Sequence, residues 1–260
     1  MGKMTIVNHI DDRLVSRIRK NLDSVRQKIV QAADMAQRDP AGIRLVVVSK
    51  FQPVEVIKSA IEAGVKELGE NYAEQAAPKI EALRDFPTIQ WHMVGHVQSR
   101  KARMVCQYFH FVHSVDTVRL AEKLESACQE FNRTLPVLLE FNLGGEESKF
   151  GWNIRGDRID PAIAQDIEKV TQLPHLQVRG LMTMPPMTAD AEQARPYFRR
   201  LAKLRLSLQD RFPHIDWRDL SMGTSVDFSV AVEEGATFVR IGQAILGPRP
   251  KQGPITEEQH

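Results

Sequence analysis

Over residues 9–38, Leu14, Ile18, Leu22, Val25, Ile29 and Ala33 recur at spacings of three and four, with Arg and Lys between them. That is the period of an amphipathic helix, and Pro40 and Gly42 end it. The next apolar run, Leu45, Val46, Val47 and Val48, is continuous. Continuous hydrophobicity marks a strand buried on both faces, as in a parallel sheet. From there strand and helix patterns alternate. Strands are predicted at 44–49, 66–69, 89–93, 109–113, 136–141, 176–182, 217–220 and 237–241. Helices are predicted at 53–63, 72–84, 98–106, 116–131, 158–170, 190–211 and 226–234. Ser99, Asp116 and Asp190 stand where helix caps are expected. Successive βα units predict a parallel sheet with right-handed crossovers. Their number predicts a single (β/α)8 TIM barrel with an extra N-terminal helix. A doubly wound open sheet is the alternative, because closure leaves no mark in a sequence. No composition shift divides the chain, so 1–260 reads as one domain. The polar, Pro-rich tail 248–260 reads as loosely attached.

Composition narrows the function classes without naming one. Lys and Arg number 35 against 33 Asp and Glu, a net charge of +2. A balance so near zero gives no footprint for nucleic acid or a membrane surface. No stretch approaches the roughly 18 apolar residues of a membrane span, and residues 1–20 have no signal-peptide core. Cys106 and Cys128 stand 22 residues apart outside any CxxC cluster, so they are read as packed, reduced thiols of a cytoplasmic protein.

In such a barrel the chemistry lies at the C-terminal ends of the strands. Three valines and a serine deliver Lys50 to the mouth of the first strand. Two readings are open there. One is a lysine that snorkels to water. The other is an amine whose pKa falls on burial, which is what Schiff-base chemistry with an aldehyde needs. After the seventh strand comes SMGTS at 221–225, a small-residue loop before a helix, and after the eighth comes Arg240-Ile241-Gly242. Adjacent loops of that kind suit a phosphate, or are ordinary turns. Arg240 reads either as a cation facing a ligand or as an ion-pair partner of Glu233 or Glu234. The loop from Gly144 to Lys149 reads as a lid or a solvated turn. His92 and His96 stand four apart, but Gly95 and the strand pattern exclude a helix there, and no HExxH pattern follows. No metal site is therefore expected. No GxSxG elbow supports Ser-His-Asp chemistry.

Taken in order, the segments VVVSK at 46–50, GENY at 69–72, WHMVGHVQS at 91–99, GEESK at 145–149, SMG at 221–223, VRIG at 239–242 and AILG at 244–247 form a set. Over about 200 residues this set resembles the pyridoxal 5′-phosphate homeostasis protein family, whose fold is that of the alanine racemase barrel domain. The resemblance implies that Lys50 forms the internal aldimine with pyridoxal phosphate. It implies that Ser221, Gly223, Gly242 and Gln243 hold the phosphate, that Arg240 faces the pyridine nitrogen, and that Asn71 sits beside the aldimine. The chain departs from the family at Thr224, usually Met, at Gln243, often a hydroxyl residue, and at Val226, where one of an acidic pair is replaced and Asp227 remains. The lost hydroxyl at Gln243 removes one phosphate hydrogen bond, which a backbone N–H there would replace.

A racemase or decarboxylase must stabilise a carbanion through the pyridine ring, and a carboxylate at the ring nitrogen strengthens that sink. Arg240 accepts no proton and so weakens it, although alanine racemases use an arginine too. Alanine racemases also carry a second domain that supplies a catalytic tyrosine, whereas only 248–260 follow the last strand and its loop here. Tyr108 and Tyr197 read as far from the mouth and Tyr72 as packed at a helix start. The expectation is a monomeric carrier that holds, buffers or delivers pyridoxal phosphate, with apo-enzymes as recipients and no robust catalysis. The alternatives are a small racemase-like enzyme with an unidentified base, and a phosphate-binding barrel enzyme without pyridoxal.

Overall fold

Eight parallel strands run from β1 (Arg44–Val48) through β2 (Glu67–Glu70), β3 (Gln90–Met93), β4 (Phe111–Val115) and β5 (Leu135–Asn142), each pairing with the next. A two-residue strand, β6 (Trp152–Asn153), adds to the end of β5 outside the ring. The ring continues through β7 (Leu176–Thr183), β8 (Asp219–Ser221) and β9 (Phe238–Ile241), and closes where β9 pairs with β1. The barrel is therefore closed, and the open-sheet alternative is set aside. The computed structural model describes residues 11–249 apart from 147, 155 and 157. Residues 9–10 of the expected first helix and 250–260 of the expected tail lie outside the described residues.

The helices are α1 (Asp12–Met35), α2 (Val54–Glu62), α3 (Ala73–Ala82), α4 (Ala102–Tyr108), α5 (Val118–Glu130), α6 (Pro161–Thr171), α7 (Arg195–Arg211), α8 (Phe228–Glu233) and α9 (Gln243–Leu246). α1 starts where Asp11 accepts from the N–H groups of Arg13 and Leu14. Its apolar stripe of Ile18, Leu22, Val25 and Ile29 is buried, and it packs on α2, α8 and α9. Two of the expected caps differ. Thr117, not Asp116, accepts from the Leu120 N–H to cap α5, because Asp116 is engaged by His96. Ser99 opens a 3-10 turn rather than capping α4. Asp190 does cap, accepting from the Glu192 N–H.

Alternation along each strand sends one set of side chains outward under the helices and the other into the barrel. Outward residues such as Val47, Leu68, Trp91, Val112, Leu139 and Leu181 belong to the large core between sheet and helices. Val46, Val94, Phe111, Leu138, Met182 and Phe238 form a separate interior cluster. Below it, at the N-terminal ends of the strands, Arg44 pairs with Glu67 at 2.9 Å and Arg179 with Asp219 at 2.8 Å. Both arginines cap the apolar layer through aromatic faces, Arg44 over Phe238 and Arg179 over Phe111. Above it, the upper interior is polar, and that is where the site lies.

Candidate functional site

Lys50 leaves the end of β1 through a turn in which Phe51 adopts φ +63°. Beneath it is a buried ion pair. Glu70 Oε1 accepts from Lys79 Nζ at 2.8 Å and from Ser49 Oγ at 2.8 Å, and Lys79 also donates to the Ser49 carbonyl. Glu70 is fully buried at the end of β2, and Lys79 reaches it from α3. The Lys50 ammonium itself makes no hydrogen bond or ion pair with the described residues. Burial pushes its pKa below the usual lysine value, Arg249 pushes the same way, and Glu70 opposes them.

Across the mouth, Lys50, Asn71, Arg240, Gly242 and Gln243 line one cavity of about 150 Å³ with Thr224, Ser225 and Arg249. Five of the seven residues singled out in the sequence thus meet there. Ser221 and Gly223 lie behind the wall. Ser221 is wholly buried, and its oxygen accepts from Arg240 Nη1 at 2.5 Å. Gly223 has φ +91°, and a Cβ on it would come within 2.5 Å of Ala231. Only glycine therefore lets this loop fold tightly against α8. The sequence assigned no consequence to the solitary Asp227. The structure gives it one: Asp227 Oδ1 accepts from the Thr224 N–H at 2.6 Å and the Thr224 hydroxyl at 3.0 Å, fixing the loop.

Arg240 is 4% exposed. Besides Ser221 it donates to the Thr183 carbonyl at 3.1 Å and contacts Met184 Sδ. Burial lowers its pKa to about 10, against the pull of Glu140 and Asp227. It has no ion pair with Glu233 or Glu234, which bind Arg195 instead. His96 binds Asp116 at 2.8 Å and stacks on Phe150. Among the described residues no cluster of His, Cys, Asp or Glu could hold a metal ion. The loop read as a lid or a solvated turn is tied down at Asn142, which donates to the Glu146 carbonyl and accepts from the Gly145 N–H.

A second cavity of about 570 Å³ adjoins the first and shares Asn71, Val94 and Met184 with it. Tyr72, 46% exposed, lies on its wall rather than in the core. So does Glu140, whose Oε2 is buried without a partner. Burial raises the Glu140 carboxyl to about 7, with Asp116 adding and Arg240 opposing. Sequence reasoning missed Glu140. The signal was there, since it is the one charged residue in the apolar run of β5.

The fold and this mouth define an alanine racemase-like barrel: residues 20–250 match the family described as "Alanine racemase, N-terminal domain". A Clostridium difficile alanine racemase shares the fold at 14% identity and a TM-score of 0.62, over 88% of this chain and 59% of that one. Two curated relatives are each called pyridoxal phosphate homeostasis protein. That of Pseudomonas aeruginosa is 39% identical over 93% of this chain and all of its own, and that of Vibrio alginolyticus 36% over 90% and 99%. The structure of PipY from Synechococcus elongatus with pyridoxal phosphate bound is 33% identical, with a TM-score of 0.76 over 88% of this chain and all of that one. The chain belongs to the pyridoxal phosphate homeostasis protein family.

Proposed function

We propose that this protein binds pyridoxal 5′-phosphate through Lys50 and acts in its homeostasis, holding and releasing the cofactor rather than turning over a substrate. The observation that carries the reading is the Lys50 amine, without a partner among the described residues and lowered in pKa, in one cavity with Arg240 and two small-residue loops. The residues fit the group. When bound, pyridoxal phosphate supplies an electrophilic aldehyde and an electron-accepting ring. A neutral Lys50 amine is the nucleophile such an aldehyde requires. Backbone N–H groups of Ser225, Gly242 and Gln243 would hold the phosphate, on loops that Gly223 and the Thr224–Asp227 bond keep tight, and Arg249 brings positive charge to the same cavity. The Ser221 hydroxyl is turned to Arg240 and His113, so its part is to hold the arginine that would face the ring nitrogen. Asn71 would sit beside the attachment point. Arg240 stays cationic at neutral pH even with its lowered pKa. It would donate to an unprotonated ring nitrogen and disfavour its protonation, which weakens carbanion stabilisation. The free, buried thiols of Cys106 and Cys128 fit a reducing cytoplasm, and the absence of a membrane-length apolar helix among the described residues fits it too. Delivery would run from a monomer to apo-enzymes that use the cofactor.

One observation favours a second reading, a small racemase-like enzyme. Glu140 presents an unpartnered carboxyl with a pKa near neutrality to the adjoining cavity, as a general base would. Purified protein with added cofactor separates the two. A visible absorption band that vanishes in Lys50→Ala, with no exchange of amino-acid α-protons into deuterated water, supports the carrier. Rapid exchange that is lost in Glu140→Gln overturns it.

A further inference from the structure

A row of buried polar side chains crosses the barrel behind the site, and the proposed binding reading leaves its His113, His92 and Glu67 unused. It begins at Arg240, whose Nη1 donates to Ser221 Oγ at 2.5 Å. Ser221 Oγ lies 2.7 Å from His113 Nδ1, and His113 Nε2 lies 2.9 Å from His92 Nδ1. His92 Nε2 faces Glu67 Oε2 at 3.3 Å, an ion-pair distance, and neither atom has another partner among the described residues. Glu67 is held on its other oxygen by Arg44 Nε at 2.9 Å. Both rings are wholly inaccessible, packed among Phe111 and Phe238. The row runs from the mouth of the barrel to its floor.

Both ends dictate the same order of protons. Arginine only donates, so Ser221 Oγ accepts from it, and the one remaining Ser221 proton goes to His113 Nδ1. His113 then carries its proton on Nε2 and gives it to His92 Nδ1. His92 likewise carries its proton on Nε2, directed to Glu67. The reverse order fails at the floor, because a bare His92 nitrogen would face a carboxylate. It also fails at the top, because Ser221 would receive two donors and lose its acceptor. Burial opposes charge on both rings; on His92 it outweighs the pull of Glu67, and on His113 the neighbouring His92, Arg240 and Arg44 add to it. Burial pushes the Glu67 carboxyl up, but His92 and Arg44 outweigh it and hold it below its usual value, so the floor stays anionic.

We propose that His113 is a positioning residue. By fixing the Ser221 hydroxyl, with His92 and Glu67 fixing its own tautomer, it holds Arg240 in the orientation the site uses. The consequence for a bound pyridoxal ring rests on the reading given above; the proton order does not.

Nitrogen-15 NMR of the full chain without cofactor tests the proton order. His92 and His113 are expected as neutral Nε2–H tautomers at neutral pH. A proton on Nδ1 of either ring there overturns the proposal. Three variants test the coupling. His113→Leu removes the acceptor for Ser221. His113→Asn keeps an acceptor oxygen near the Nδ1 position. Ser221→Ala removes the hydroxyl and serves if His113→Leu does not fold. In the cofactor-free protein, Arg240 guanidinium hydrogen exchange is expected to quicken about tenfold in His113→Leu and Ser221→Ala, and to stay slow in His113→Asn. In the protein loaded with pyridoxal phosphate, the absorption band is expected to shift in the same two variants and not in the third. Equal effects of all three variants, or none, overturn the positioning role. Failure of the wild type to bind cofactor, with the tautomers as stated, overturns only the binding reading.

Discussion

Lys79→Met isolates the ion pair beneath the site. It leaves the Glu70 carboxylate wholly buried with one hydroxyl donor, since Ser49 and Lys79 both serve Oε1 and Oε2 has no partner. Lys79 itself is 12% exposed, so water replaces little of what is lost. Removing one partner of a buried pair costs about 3–5 kcal/mol, a large part of the roughly 5–15 kcal/mol that holds a domain together. At about 2–4 °C per kcal/mol for a chain of this order of size, the melting temperature should fall by roughly 6–20 °C. The variant also loses the bond from Lys79 to the Ser49 carbonyl, so the turn that presents Lys50 loosens and cofactor affinity should fall with stability. Urea unfolding of Lys79→Met, Glu70→Gln and the double variant measures this. The double variant should recover much of the loss, because it buries no unpaired charge. A single-variant loss below about 1 kcal/mol, or strictly additive effects, would show that Glu70 and Lys79 are not a coupled buried pair.

The other predictions concern titration and packing around the same mouth. Glu140 has its folded pKa raised from 4.5 to about 7, so the folded state binds the extra proton between those values. Stability should therefore be full below about pH 4.5 and fall by roughly 3 kcal/mol as pH rises through 7. Glu140→Gln should flatten that slope in urea midpoints taken across the range, and an unchanged slope counts against it. Lys50 has its folded pKa lowered, so the unfolded chain holds the proton longer. The charge penalty acts at neutral pH and fades as pH rises toward the ordinary lysine value. Arg249→Gln should raise the apparent pKa with which Lys50 reacts with a small aldehyde, and a fall would contradict the stated cause. In Gly95→Ala the new Cβ would lie 2.5 Å from the Asn71 carbonyl. Overpacking of about 1–3 kcal/mol and a displaced Asn71 should lower both the urea midpoint and cofactor affinity; an unaltered midpoint would show that the two strand ends part freely.

The barrel was legible because burial writes itself into hydrophobic pattern. Val46, Val47 and Val48 are buried or nearly so on both faces of β1, and the continuous run announced it. Lys50 and Arg240 were legible because they stand where such runs end. Pairing between distant side chains was not. Ser221 and His113 are 108 residues apart, and nothing in SMG shows that its hydroxyl meets a histidine inside the barrel. Cys106 and Cys128, read as unrelated from their spacing, lie with sulfurs 2.8 Å apart between α4 and α5, since neighbouring helices of the ring bring the two positions together. β6 and α9 escaped notice because two and four residues are too few to carry a period. Asp116 looked like a cap because the residue type suits one, but His96 competes for it and Thr117 takes the role.

Whether Lys50 is the amine that takes up pyridoxal phosphate is read out by borohydride reduction of the protein mixed with one equivalent of cofactor, followed by proteolysis and mass mapping. A reduced pyridoxyl adduct is expected on the peptide containing Lys50, and none in Lys50→Ala. An adduct on another lysine, such as Lys79 or Lys149, with Lys50 unmodified, would contradict uptake by Lys50.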